Sequence, residues 1–266
     1  MQLRTLRDSW NTLGENDPMW AVLTRPERRG RRWDPGEFFA TGRREIDEVM
    51  RLLREVGPPV ARGDALDFGC GVGRLTQALA AHFDRVTGVD IAPSMLAAAG
   101  YNSHDNCRFV HNERPDLGVF PDASFDFVYS SIVLQHMPPA LALGYVTEFA
   151  RVLRPGGRAV FTVPAGPSDT PVGRLYRIVP SAVVDAYKKR LWGGVIQMHG
   201  IPLEALIPRL TASGLHIERV DPDPSPGPNW RGFRYVVAKP VRGQVAVTPA
   251  VPTAHRRLKD RQRLRT

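Results

Sequence analysis

The chain has 266 residues, 42% apolar and 24% charged, enough for one sizeable core; Cys70 and Cys107 stand alone without metal-ligand spacing, and no apolar run approaches the length of a membrane span. Its net charge of +9 lies at the ends: residues 241–266 carry seven basic residues against Asp260, and residues 1–44 carry nine arginines against six acids. Together these features exclude wholesale disorder, a disulfide framework and a zinc site, and they argue against specific nucleic-acid binding by the neutral body over 45–240; a cytoplasmic protein is expected.

Residues 1–56 read as an N-terminal helical cap, within which RREIDEVMRLLREV (43–56) is amphipathic and stops before Gly57-Pro58-Pro59. The segment also holds Trp10, Trp20, Trp33, Phe38 and Phe39, expected to pack mainly on the domain that follows. From residue 64, short β-type runs alternate with helical patterns: ALDFG, RLTQALAAHF, VTGVD, SMLAAAG, CRFVH, FDFVYSSIV (125–133), a helix over about 139–153, and RAVFTV (158–163) after the turn Pro155-Gly156-Gly157. Such alternation predicts an α/β fold with a doubly wound, mostly parallel sheet. A helix over 202–214 precedes LHIERV (215–220) and FRYVVAKP (233–240), whose connection is too short for a crossover helix, so the last strand should run antiparallel. The expected organisation is a cap (1–56), a main domain (57–240) with a substrate-side insertion at 165–201, and a flexible basic tail (241–266) able to contact anionic surfaces.

The strongest chemical signal is Asp67-Phe68-Gly69-Cys70-Gly71-Val72-Gly73-Arg74, at a turn from strand to helix where glycines let a ligand approach the backbone. A dinucleotide fingerprint wants Gly or Ala where Arg74 stands, and a pyrophosphate has no use for Asp67; a ligand with an α-ammonium group does. Asp90 ends the second strand, where an acid accepts from ribose hydroxyls; its alternative role is to cap the helix near Pro93-Ser94.

LDFGCGVGRLT, VTGVDIAPSML, FPDASFDFVYSSIVLQHM and EFARVLRPGGRAVFTVP resemble the successive motifs of the class I S-adenosylmethionine-dependent methyltransferases of small molecules, over roughly residues 60–164. The resemblance implies a seven-stranded sheet with an antiparallel last strand and S-adenosyl-L-methionine as cofactor. It implies that Asp67, Gly69, Cys70, Gly71 and Gly73 surround the methionine part, that Asp90 binds ribose and that Ile91 packs on adenine. The family's usual acid after the third strand is replaced by Asn112, Glu113 and Arg114, which leaves Asn112 and Glu113 as adenine candidates beside the loop backbone. Ser130, Ser131, Gln135 and His136 fall where the family places the reacting methyl group and its acceptor.

His136 is the first candidate base, and His199, before the helix at Pro202, the second; each has the alternative of a purely structural hydrogen bond. No Asn-Pro-Pro-Tyr or Asp-Pro-Pro-Tyr motif is present, which disfavours nucleobase amines as acceptors. In the insertion, Leu175, Tyr176, Ile178, Val183, Val184, Tyr187, Leu191 and Trp192 are expected to pack as core or cover, and Trp230 to close over the acceptor. The expected activity is metal-independent, in-line methyl transfer to a small-molecule or lipid-linked acceptor. A nicotinamide-dependent oxidoreductase and a non-catalytic cofactor-binding module are the alternatives.

Overall fold

Three helices lead the chain: α1 (Gln2–Asn16), α2 (Pro18–Val22) and α3 (Pro35–Val56). The alternating segment follows as β1 (Asp64–Phe68), α4 (Arg74–Leu79), β2 (Arg85–Asp90), α5 (Pro93–Gly100), β3 (Cys107–His111), β4 (Phe125–Ser130), α6 (Pro139–Val152) and β5 (Leu153–Pro167). It closes with α7 (Pro171–Ile178), α8 (Leu203–Ala212), β6 (His216–Asp223) and β7 (Trp230–Ala238). This is a computed structural model that describes residues 2–101, 103–179, 183 and 196–241.

The seven strands form one sheet in the order β3-β2-β1-β4-β5-β7-β6. Neighbours from β3 to β5 run parallel, and β7 runs antiparallel to both β5 and β6, as the sequence predicts. The chain order reverses on either side of β1, between β2 and β4, and a crevice opens there beyond the strands' carboxyl ends.

Alternation along each strand sorts the core into two layers. Leu66, Val128, Phe161 and Tyr235 face α6 and α8, meeting Tyr145, Val146, Phe149, Leu206 and Leu210. Their neighbours Ala65, Phe127, Val160 and Val236 face α3 and α4, meeting Ile46, Val49, Leu53, Leu75 and Leu79. All six residues of β4 are buried, as befits a central parallel strand covered on both faces. A third cluster, Leu13, Trp20, Trp33 and Phe38 with Val72, Ala92 and Met95, joins the N-terminal helices to the glycine turn and α5.

Four element boundaries differ from expectation. Helix α3 starts at Pro35, not near 43, because Asp34 caps it by accepting from the Glu37 amide at 2.8 Å and Pro35 takes the first helical position. Strand β4 stops at Ser130, not at 133, since Ile132 takes a positive φ of 55° and sends its amide to Thr162 Oγ1 at 2.9 Å. Strand β5 already begins at Leu153, which pairs with Phe125. The final hairpin extends to Asp223 and Gly232; Pro222 is tolerated because β6 is the sheet edge, where a missing amide hydrogen costs no ladder bond. Among the described residues, no helix is long and apolar enough to cross a membrane.

Candidate functional site

The glycine turn is tied to the second strand before it can meet a ligand. Gly69 and Cys70 amides both donate to the Val89 carbonyl, at 2.8 and 3.1 Å, and Gly73 donates to Cys70 O at 2.9 Å. Gly69 and Gly71 hold φ of 75° and 52°, which L side chains resist. An added Cβ at Gly69 would run into Val133, and at Gly71 it would come within 2.9 Å of Val22 Cγ2. The bare backbone is thus packed from above by a residue of α2.

Asp90 closes this turn. Its Oδ2 accepts from the Gly71 amide at 2.8 Å and its Oδ1 from the Ala92 amide at 2.9 Å, joining the glycine turn to the start of α5. Burial raises its pKa against these bonds. Each oxygen keeps a lone pair for a further donor. Ser94 does not cap α5: its amide donates to Asn11 Oδ1 at 3.0 Å and its hydroxyl to Asn11 O at 2.8 Å, which docks α1 on the helix.

At the end of β4, the left-handed Ile132 throws the chain into a 3-10 turn over Leu134–His136 and raises His136 toward the crevice. His136 Nδ1 lies 2.7 Å from the Gln197 carbonyl, which can only accept, and Nε2 lies 3.3 Å from Gln135 Nε2, which can only donate. Nδ1 therefore carries a proton and donates it to the Gln197 carbonyl. Trp10 of α1 meets it edge-on, centroids 5.2 Å apart. Residues 196–201 strap this turn, His199 N donating to Gln135 O and Ile201 N to Pro164 O.

These parts line one cleft beyond the carboxyl ends of the strands. Its wall is largely apolar: Leu3, Leu6, Trp10, Ala21 and Val22 from the leading helices, with Ile91, Met95, Ile132, Val133, Met137 and Tyr145. Gly69, Cys70, Gly71, Asp90, Ile91, Asn112 and His136, all singled out by sequence, line it together. Asn112 spends its amide on its own loop, donating to Asp116 O at 2.7 Å and accepting from Arg114 N at 3.2 Å.

Six other candidates do not reach the wall. Asp67 is buried behind the turn, where Oδ2 accepts from Thr76 Oγ1 at 2.6 Å and burial pushes its pKa up to about 7. Gly73 begins α4. Glu113 points outward to Arg7 at 2.9 Å and His111 at 3.3 Å. The Ser130 hydroxyl donates to Phe68 O at 3.1 Å; Gln135 is buried against His136; the His199 amide donates to Gln135 O at 2.7 Å. Trp230 packs on Tyr176, centroids 6.2 Å apart, and not over the cleft. In the insertion, Leu175, Ile178 and Val183 are exposed, against expectation, while Val184, Tyr187, Leu191, Trp192 and the tail from 242 lie outside the described residues.

Sequence reasoning missed Arg74, Val22, Leu3, Leu6 and Tyr145 as wall residues. A signal existed for Arg74 alone: a basic residue opening the helix beside the turn. Its Nη1 lies 2.8 Å from Glu45 Oε2. Burial would raise the Glu45 carboxyl, but the Arg74 charge and bonds from Ser131 and Tyr129 hold it below the usual range. Among the described residues, no group of three His, Cys, Asp or Glu is arranged to hold a metal ion.

Residues 66–161, from β1 to the middle of β5, match the family described as methyltransferase domain. This segment is a class I methyltransferase domain. S-adenosylmethionine is the cofactor of that family, which agrees with the glycine turn and Asp90 sharing one cleft. The chain is 33% identical over 137 residues to a trans-aconitate 2-methyltransferase of Deinococcus radiodurans, covering 50% of each. It is 35% identical over 135 residues to a ubiquinone biosynthesis O-methyltransferase of Idiomarina loihiensis, covering 49% of this chain and 54% of that one. It is also 32% identical over 143 residues to a ribosomal protein L11 methyltransferase of Burkholderia mallei, covering 53% and 45%. The chain spans about half the length of the curated relatives it matches. The fold is shared with magnesium protoporphyrin IX methyltransferase of Synechocystis PCC 6803, solved with bound SAH, at a TM-score of 0.59 and 19% identity over 90% of this chain and 100% of that one.

Proposed function

We propose that the chain transfers the methyl group of S-adenosylmethionine to an uncharged or amphiphilic acceptor, a small molecule or a lipid-linked one, in line and without a metal ion. The observation that carries this reading is the convergence in one cleft of the glycine turn and Asp90 with His136 and an apolar wall. The residues fit the cofactor: the turn bares its backbone, Asp90 keeps lone pairs for ribose hydroxyls, and Ile91 offers an apolar surface for adenine. Asn112, whose side chain is already engaged, borders that end of the cleft.

When bound, S-adenosylmethionine supplies a methyl group already activated by its sulfonium. The protein's contribution is alignment and exclusion of water. Leu3, Leu6, Trp10, Met137 and Tyr145 furnish the apolar enclosure. With Nδ1 donating to the Gln197 carbonyl, the nitrogen left to act as a base is Nε2, which lies 3.3 Å from Gln135 Nε2. An acceptor hydroxyl or amine displaces the Gln135 amide there and passes its proton to Nε2, while Gln197 O holds the ring. His199, outside the wall, has no part in this step. Asp67 supports the turn from behind through Thr76.

The acceptor class follows from the wall. Arg74 is the one Lys or Arg among the described lining residues, and Glu45 already pairs with it, which disfavours a polyanion such as trans-aconitate. Comparing metabolites of cells with and without the protein tests this. A gain of one methylene in an apolar or amphiphilic species is expected; a gain confined to polyanionic acids, or methylation confined to protein, would overturn the acceptor class.

A further inference from the structure

Helix α7 turns an apolar side outward. Thr170 caps it by accepting from the Gly173 amide at 3.0 Å, and the Thr170 hydroxyl donates to Asn229 Oδ1 at 2.9 Å. Gly173 is buried so closely that an added Cβ would run into Ser168 O, and Tyr176 packs on Trp230. Arg177 Nη2 donates to Pro167 O at 2.9 Å and to Asp169 Oδ1 at 2.7 Å. The helix is thus held from one side. On the other, Val172, Leu175 and Ile178, spaced three apart, are 43%, 53% and 80% exposed. A surface helix ordinarily turns its apolar stripe to the core. Single exposed apolar side chains are commonplace, but a contiguous row of them marks a contact surface.

Area and charge choose the partner. A stable protein–protein interface buries about 800 Å2 on each side, far more than a row of three side chains supplies. A fluid lipid surface accepts so narrow a row, because its acyl chains reshape around it and basic residues add attraction to anionic headgroups. Arg174 and Arg177 run along one flank of the row. A further basic group stands at the same edge of the sheet. Residues 23–33 leave Val22, which overlies Gly71, and return at Trp33, in one cluster with Val72; they carry five arginines against Glu27. Arg25 and Arg28 each lie 5.2 Å from the Trp33 ring and Arg29 lies 5.4 Å from that of Trp20, so the loop presents its charge from a fixed base. β5 delivers α7 to this same carboxyl edge, on which the cleft opens.

We infer that α7 and the arginines of 23–33 seat the carboxyl edge of the sheet on an anionic lipid surface. Val172, Leu175 and Ile178 enter the boundary between headgroups and acyl chains, and the arginines meet headgroup phosphates. The cleft then opens where an amphiphilic acceptor resides. That last consequence rests on the proposed acceptor class; the attachment itself does not.

Sedimentation of the full chain with vesicles, without S-adenosylmethionine, tests the attachment. The wild type should bind vesicles of phosphatidylcholine containing about one third phosphatidylglycerol at least about tenfold more tightly than phosphatidylcholine alone. Leu175→Ser combined with Ile178→Ser should weaken that binding about 10- to 100-fold, and Arg174→Gln about fivefold, each with the wild-type melting temperature because these side chains stand in solvent. Wild-type protein that binds neither vesicle would overturn the inference. So would a double variant that binds as the wild type does and is released by salt, which would leave the attraction to the basic chain ends alone. Self-association lost in the double variant, with no vesicle binding, would make α7 a contact between copies and overturn it too. Vesicle binding by a chain that fails to bind S-adenosylhomocysteine would sustain this inference and contradict the proposed function instead.

Discussion

Asp67 and Asp90 are both acids at strand ends beside the same turn, and their surroundings divide their tasks. Asp90 is met by two backbone amides and opens on the cleft, whereas Asp67 is met by one hydroxyl behind it. Burial holds the Asp67 carboxyl at about 7, against about 4 for a free aspartate. Between those values the unfolded chain has released a proton that the folded chain retains. The stability this group contributes is therefore fully present below pH ~4 and lost as pH rises through ~7. Asp67→Asn, which cannot ionise, should flatten the fall in melting temperature between pH 5 and pH 8; a variant with the wild-type slope would place the titrating group elsewhere.

In the proposed reaction, His136 is the residue on which acceptor chemistry turns. With Nδ1 donating to Gln197 O, only Nε2 can take a proton, and only while the ring is neutral. His136→Ala should leave S-adenosylhomocysteine affinity nearly intact, lower turnover by roughly 10²–10⁴-fold, and abolish the limb of the rate profile that rises as an imidazolium deprotonates. Turnover equal to wild type would remove His136 from the mechanism. The glycine turn, Asp90 and His136 were legible in the sequence because each follows from its place at a strand's carboxyl end. The Arg74–Glu45 pair beside the cleft was not, because a preceding helix brings Glu45 across. The loop after β3 offers three polar residues that the sequence does not rank, and Arg7 on α1 draws Glu113 outward.

Among the elements, the parallel core was readable from periodicity, and what escaped it were boundaries set by single residues. The left-handed Ile132 ends β4 and aims His136; a β-branched residue there is uncommon, and periodicity does not report it. Helix α3 was under-read because its cap, Asp34-Pro35-Gly36-Glu37, lies outside the apolar periodicity. Helix α1 is tied to α5 by Asn11 and Ser94 and delivers Trp10 to His136, a pairing across elements that local pattern cannot show. Trp10 borders the cleft, whereas Trp20 and Trp33 sit in the cluster behind it and Trp230 packs on Tyr176. S-adenosylhomocysteine should therefore quench intrinsic fluorescence mainly through Trp10. Trp10→Phe should remove most of that quench while changing affinity only a few-fold; an undiminished quench would mean that α1 does not cover the bound ligand.

For the molecule as a whole, charge and architecture separate the tasks. The basic excess lies at the two ends of the chain, and the cleft between β2 and β4 is apolar except where Asp90, Asn112, Ser131, Arg74 and His136 enter it. A neutral enclosure around one sulfonium-activated group favours transfer to an uncharged acceptor, because a charged one would forfeit its hydration without a partner. The most direct test is to incubate the full chain with S-adenosylmethionine labelled in its methyl group and an extract of cellular metabolites, alongside an Asp90→Ala variant. The account predicts label in an organic-extractable small molecule with the wild type and its loss, in step with cofactor affinity, in the variant. Tight binding of S-adenosylmethionine with all label remaining in it would contradict the account and make the chain a cofactor-binding module without transfer.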